Sequence, residues 1–298
     1  MNRQKVLIVL SFAIIYIVWG STYLASDFAL EQIPAFRLCG IRYIIAAILT
    51  IIISLLFFSP SRPSKLEIKN ACIAGVVFMG LGTGGAIWSL NYLDTGLTAL
   101  IISGEPLIIV LMMWVVNAKR PPSQVFVGIA LGMIGMYILV SQDSLVSSNE
   151  QWIGVIVILL SMLAWGAGSI FVSKVELPKD QWSNSAIQML AGGIVTMLIS
   201  VVIREQQDFS EPFTQKTWIS VIYLIVFGSV AAFTAFTYLL RNVSTEKVST
   251  NTYVNPIIAM ILGYQFNNEI ITIWSVVAAG IMLSGVFIIN SNKKAVEA

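Results

Sequence analysis

The chain contains no histidine. That removes the commonest proton shuttle and the commonest metal ligand together, and it makes an HExxH metal site impossible. Cysteine is scarce: Cys39 and Cys72 lie in or beside apolar runs without ligand-type spacing, so buried free thiols are expected. Charge is also sparse, 11% of 298 residues where a soluble domain carries about a quarter. The mean hydropathy is +0.86. These values exclude an ordinary soluble fold. A net charge of +2, with no basic cluster interleaved with aromatics, argues against a nucleic-acid partner. No phosphate-binding GxxxxGK motif is present, and a serine nucleophile would lack its histidine base. No metal or cofactor is implied.

What the chain has instead is apolar length. Runs close to the ~20 residues that a bilayer helix needs recur ten times. The first five lie near Val6–Ala25, Leu38–Phe58, Ala71–Leu90, Leu97–Val116 and Gln124–Val140. The next five lie near Trp152–Ser173, Ser185–Ile203, Thr217–Leu240, Thr250–Tyr264 and Trp274–Ile289. Arg3 and Lys5 precede the first run as they would in a signal peptide. That run exceeds an h-region of roughly 7–15 residues and similar runs come after it, so it is read as the first span. Of the 17 lysines and arginines, Arg37, Arg204 and Lys216 fall in loops on one side, Arg42 falls within a span, and the rest fall on the other side. The positive-inside bias therefore predicts an all-α polytopic protein with ten transmembrane helices and both termini cytoplasmic; the membrane expected is the bacterial cytoplasmic one.

The second half re-reads the first. Glu105-Pro106 is answered by Asn255-Pro256, 150 residues later, and Trp88 by Tyr238 at the same offset. Trp19-Gly20 is answered by Trp165-Gly166, and Arg42 by Gln188, at an offset of 146. Two repeats are expected, residues 1–148 and 149–298. Five spans per repeat is an odd number, so the second must enter the membrane from the opposite face, as in inverted-repeat transporters.

A charge within hydrocarbon is costly and usually faces a cavity or a partner. Glu105 lies deep in the fourth span beside Pro106, and Arg42 lies about a turn into the second. Glu105 is expected to couple transport to a proton or to bind a substrate ammonium group. Arg42 serves either the site or packing alone. Thr22, Ser169, Gln188, Asn251 and Asn255 are candidate polar contacts. Trp88, Asn91 and Tyr238 join them, with an interfacial aromatic belt or helix packing as the competing role. Pro106 and Pro256 are expected to break their helices and serve gating. Gly80, Gly82, Gly84 and Gly85 would give the third span flexibility. Gly128, Gly132, Gly135, Gly280 and Gly285 favour close helix contact, and allow a homodimer.

At Trp19-Gly20-Ser21-Thr22, Arg42-Tyr43 with Ala46-Ala47, the paired proline helices and the run Gly280 to Gly285, the chain resembles the EamA-type transporters of the drug/metabolite transporter superfamily. The resemblance implies a ten-helix inverted-repeat carrier with a central cavity, exporting amino acids, related metabolites or toxic compounds, commonly by proton exchange. One departure is Lys119, where the counterpart of Glu269 would stand. The function expected is secondary export of a small organic solute, with the proton as coupling ion and the bilayer as surroundings. An importer or exchanger of metabolites is the alternative within transport. A non-transporting sensor or scaffold is the alternative outside it.

Overall fold

Long apolar runs fold as helices because a backbone that meets no water must satisfy its own N–H and C=O groups, which a helix does within one segment. The computed structural model describes residues 3–57, 62–93, 98, 101–102, 104–118, 120–141, 151–207, 212–266 and 272–291. The expected repeat boundary between 148 and 149, and the loop residues Lys119 and Glu269, lie outside the described residues. In chain order the helices are α1 (Arg3–Leu30), α2 (Ala35–Phe57), α3 (Lys65–Ser89), α4 (Glu105–Asn117) and α5 (Ser123–Val140). They continue as α6 (Gln151–Val172), α7 (Gln181–Val202), α8 (Gln215–Asn242), α9 (Asn251–Phe266) and α10 (Ile273–Ser291). A single helical turn, Thr245–Val248, precedes α9.

Six of these helices (α1, α2, α3, α6, α7 and α8) are long and apolar enough to cross a membrane; Glu105–Val116, Ser123–Ile138 and Ile273–Ile289 are shorter apolar helices. The surface is inverted relative to a water-soluble fold. Leu55, Leu56, Phe57 and Phe287 are largely exposed, while Thr50, Asn184, Gln188 and Thr196 are buried. Apolar side chains outside and hydroxyls or amides between helices suit hydrocarbon as the surrounding solvent. Among the described residues there is no strand.

The two halves interleave. Helix α1 packs on α8 and α9, α2 on α7, α3 on α6 and α7, α4 on α6, and α5 on α10. Small residues allow the approach. A Cβ on Gly285 of α10 would sit 2.5 Å from the Gly128 carbonyl oxygen of α5, and one on Gly193 of α7 would sit 2.9 Å from the Ile44 nitrogen of α2.

Two departures from the sequence reading bear on the site. Helix α4 does not contain Glu105 in its middle. Thr98, Ile101 and Ile102 are helical, Gly104 is a turn, and α4 starts at Glu105. Pro106 therefore lies in the first turn of α4, where its missing N–H costs nothing, directly after the turn at Gly104 that interrupts the fourth span. Pro256 does lie inside α9. Secondly, α3 and α8 each contain an eight-residue π-helical segment, Val76–Thr83 and Leu224–Ala231. The hydroxyls of Thr83 and Ser229 donate to carbonyls five residues back, Phe78 at 3.3 Å and Leu224 at 3.0 Å, supporting the wider turn in both halves.

Helices begin where polar loops supply caps. The Ser64 hydroxyl accepts from the Glu67 amide at 3.1 Å, and the Glu67 carboxylate accepts from the Ser64 amide at 2.6 Å, which starts α3. Asp180 starts α7 by accepting from the Ser183 amide at 2.7 Å, and accepts from Ser54 of α2 at 2.9 Å. Burial pushes the Asp180 carboxyl up, but hydrogen bonds from Ser183, Ser54 and the Trp182 amide outweigh it and hold the group below the usual carboxylate range. With its folded value below its unfolded value, Asp180 contributes stability above pH ~4 and loses it as pH falls through the folded value. Asp180→Ala should cost about 1 kcal/mol, typical of an N-cap. In detergent its unfolding midpoint should lie below wild type at pH 7, with the gap closing toward pH ~3. A gap independent of pH would show that the carboxylate charge plays no part.

Candidate functional site

Where α1, α2, α4, α6, α8 and α9 converge with the π-segment of α3, the structure forms a cavity of about 170 Å³. Aromatic rings form much of its wall. Trp19 of α1 and Trp165 of α6, equivalent positions of the two halves, meet edge to face at 5.8 Å, and both lean on Phe236 at 5.0 and 5.3 Å. The Trp19 indole N–H donates to the Gly228 carbonyl of the second π-segment at 3.1 Å, which seats the ring. Tyr23, Tyr43 and Phe233 extend the wall.

Two charged residues face this space, both from the first half. Glu105 is 7% exposed at the first position of α4. The positive end of the helix dipole favours a carboxylate there. Arg42 is 5% exposed; its Nε donates to the Ser229 hydroxyl at 3.2 Å, and its guanidinium carbon lies 4.6 Å from the centre of the Tyr43 ring. Among the described residues the ion pair formed is Lys216–Glu31 at 2.7 Å, remote from the cavity, so neither Glu105 nor Arg42 is neutralised by a partner of opposite sign. The second half contributes amides and hydroxyls instead: Asn251, Thr252 and Asn255 of α9, with Ser161 of α6. The Asn255 side-chain amide lies against the carbonyls of Asn251 and Tyr16 at 3.0 and 3.3 Å, and its nitrogen is assigned to that side because only a donor is satisfied there.

Of the residues singled out from sequence, Glu105, Arg42, Thr22, Asn251 and Asn255 line the cavity. Trp88, Asn91, Ser169, Gln188, Tyr238, Pro106 and Pro256 do not line it. Trp88 packs on Tyr92 at 4.9 Å, and the Asn91 amide caps the end of α3 by donating to the Trp88 carbonyl at 2.9 Å. The Ser169 hydroxyl donates to its own helix at Trp165. Gln188 is fully buried between helices, donating to Asn184 at 3.0 Å. Thr83, Ser161 and Thr252 line the cavity without having been singled out. Thr252 could have been found as the immediate neighbour of Asn251, whereas nothing in the pattern marked Ser161.

The ends of the bundle tie the halves together. At one end, the Glu205 carboxylate accepts from the amides of Phe36 and Arg37 at 3.0 and 2.9 Å, and Lys216 pairs with Glu31. At the other, Arg241 donates to the Pro178 carbonyl at 2.9 Å and Asn70 to the Glu176 carbonyl at 2.9 Å.

Comparison with known proteins agrees with this arrangement. The model of the EamA-like transporter family matches twice, over residues 6–141 and 152–291. YedA of Escherichia coli K12, described as an uncharacterized inner membrane transporter, is 30% identical over 94% of this chain and 89% of its own. YvbV of Bacillus subtilis 168, described as an uncharacterized transporter, is 24% identical over 97% of this chain and 93% of its own. A solved crystal structure with 16% identity superposes with a TM-score of 0.79 over 98% of this chain and 99% of that one, which shows the shared fold. The protein is an integral, multi-pass protein of the cytoplasmic membrane, and the chain belongs to the EamA-like transporter family.

Proposed function

We propose that the protein is a secondary transporter that exports a small organic solute bearing an amine, by exchange for protons. Ten spans in two inverted repeats, with both termini in the cytoplasm, are the topology of this reading. The lysine and arginine bias supports it. So do the paired π-segments and the meeting of Trp19 with Trp165, since residues on a pseudo-twofold axis contact their own equivalents.

One observation carries the functional reading. The Glu105 carboxyl is buried, without a cation partner among the described residues, at the start of a helix that faces a cavity walled by aromatic rings. Such a group is expensive to keep unless it exchanges a proton or receives a cation. The aromatic faces around it favour an ammonium group through their quadrupoles. Rocking of the halves about the cavity would expose it to each side in turn.

The test is tolerance of cells overproducing the protein to a panel of amino acids, amines and toxic cations. Resistance to one chemical class, lost in Glu105→Ala at equal membrane abundance, is expected. Unchanged tolerance across the panel, together with no solute movement in proteoliposomes, would reject the reading.

A further inference from the structure

Arg42 brings a guanidinium into the cavity and, among the described residues, commits one of its donors to a protein acceptor. Its Nε–H goes to the Ser229 hydroxyl at 3.2 Å. That hydroxyl spends its own proton on the Leu224 carbonyl at 3.0 Å, inside the π-segment, and so presents a lone pair to the arginine. The Tyr43 ring supports one face of the guanidinium. Together these contacts fix the plane of the group and leave Nη1 and Nη2 without an acceptor among the described residues, on a side chain that lines the cavity. A buried cation with unmet donors is costly, and the two Nη groups form the edge that matches a planar oxyanion in bidentate fashion.

The surroundings keep that edge accessible. Gly228 lies alongside, and a Cβ there would come 3.9 Å from Nη2 and 2.9 Å from the Thr22 methyl, so a side chain would crowd the approach. The equivalent residue of the second half, Gln188, does not line the cavity, and its side-chain amide donates to Asn184 of the same helix. The cavity therefore receives its guanidinium from one half only. A single cation, sharing the space with the Glu105 carboxyl, suits a monoanion and does not neutralise a phosphate dianion.

We propose that Arg42, held by Ser229 of the α8 π-segment, is an oxyanion subsite of the cavity that binds a carboxylate of the solute. This rests on the transporter reading and adds the class of group recognised at a second point. The solute then carries a carboxylate as well as a group directed to Glu105.

The test uses the purified full-length protein in detergent at fixed pH and ionic strength, with no gradient. The probes are 3-phenylpropionate, its neutral amide and inorganic phosphate, the phenyl group being chosen for the aromatic wall. A saturable rise of the unfolding midpoint with 3-phenylpropionate is expected, with none from the amide. Arg42→Gln should abolish the rise. Arg42→Lys, which keeps the charge and loses the fork, should raise half-saturation about tenfold. Ser229→Ala frees the guanidinium plane and should weaken the response while leaving Arg42 in place, so it carries the test should Arg42→Gln fail to fold. No response to 3-phenylpropionate, an equal response to the amide, or a full response in the variants overturns the proposal. A phosphate response as strong as the carboxylate's overturns the assigned class. Transport of amines without any carboxylate response would remove the subsite and leave the function standing. A carboxylate response lost in Arg42→Gln, in a protein that moves no solute, would do the reverse.

Discussion

Gly75→Ala is expected to leave little folded protein. A Cβ on Gly75 of α3 would lie 2.0 Å from the carbonyl oxygen of Gln188 on α7 and 2.7 Å from its carbonyl carbon. These are backbone atoms of a helix and cannot swing aside. The contact is reciprocal, since a Cβ on Gly192 would lie 2.7 Å from the Gly75 carbonyl oxygen. Relief requires the two helices to separate, and α7 is also the partner of α2. Overpacking of a well-packed site costs about 1–3 kcal/mol. A backbone clash that displaces a helix shared by two neighbours belongs at or above the top of that range, a large share of the ~5–15 kcal/mol that holds a domain. Size-exclusion profiles of detergent extracts should show aggregate for Gly75→Ala and a monodisperse peak for Gly280→Ala, where nothing lies within 4 Å of the added carbon. A wild-type profile and midpoint for Gly75→Ala would show that α3 and α7 are not in backbone contact.

That contact illustrates which parts of the molecule hydropathy could show. The run Leu38–Phe58 lies close to α2 (Ala35–Phe57), because its whole length is apolar. The starts of α3 and α7 are earlier than the apolar runs imply, at Lys65 and Gln181. There the helix is begun by cap chemistry at Ser64 and Asp180, among polar residues that a hydropathy window discards. Depth within a span pointed to Glu105 and Arg42, since buried charge is rare enough to be informative. The direction in which uncharged side chains point was less legible. Trp88 and Tyr238 both come after a π-segment, and each residue inserted into a helix rotates the rest of that helix by about 100°. Their equal spacing from Pro106 and Pro256 gives a position along the chain and not the face that each side chain occupies. The π-segments themselves leave no 3.6-residue signature. Only the glycines of the first, Gly80 and Gly82, hinted at a departure from regular helix.

Glu105→Gln is expected to abolish the dependence of transport on a proton gradient while preserving the fold. The substitution is nearly isosteric, and among the described residues it breaks no ion pair. The side chain faces the cavity rather than a packed contact, so the amide has room for the same shape. What is lost is the ability to carry a proton and a negative charge at the start of α4. In proteoliposomes, an inward proton gradient should accelerate solute exit by the wild type and leave Glu105→Gln unaffected, with a flat pH profile. Exchange of solute for solute without a gradient separates the two duties of the acid. If Glu105 only couples, exchange in the variant stays near wild type. If it also receives the solute's ammonium, a charge-assisted hydrogen bond worth about 2–3 kcal/mol disappears, and exchange at low solute falls roughly 30- to 150-fold. Gradient-driven exit at the wild-type rate in Glu105→Gln would remove the acid from the mechanism.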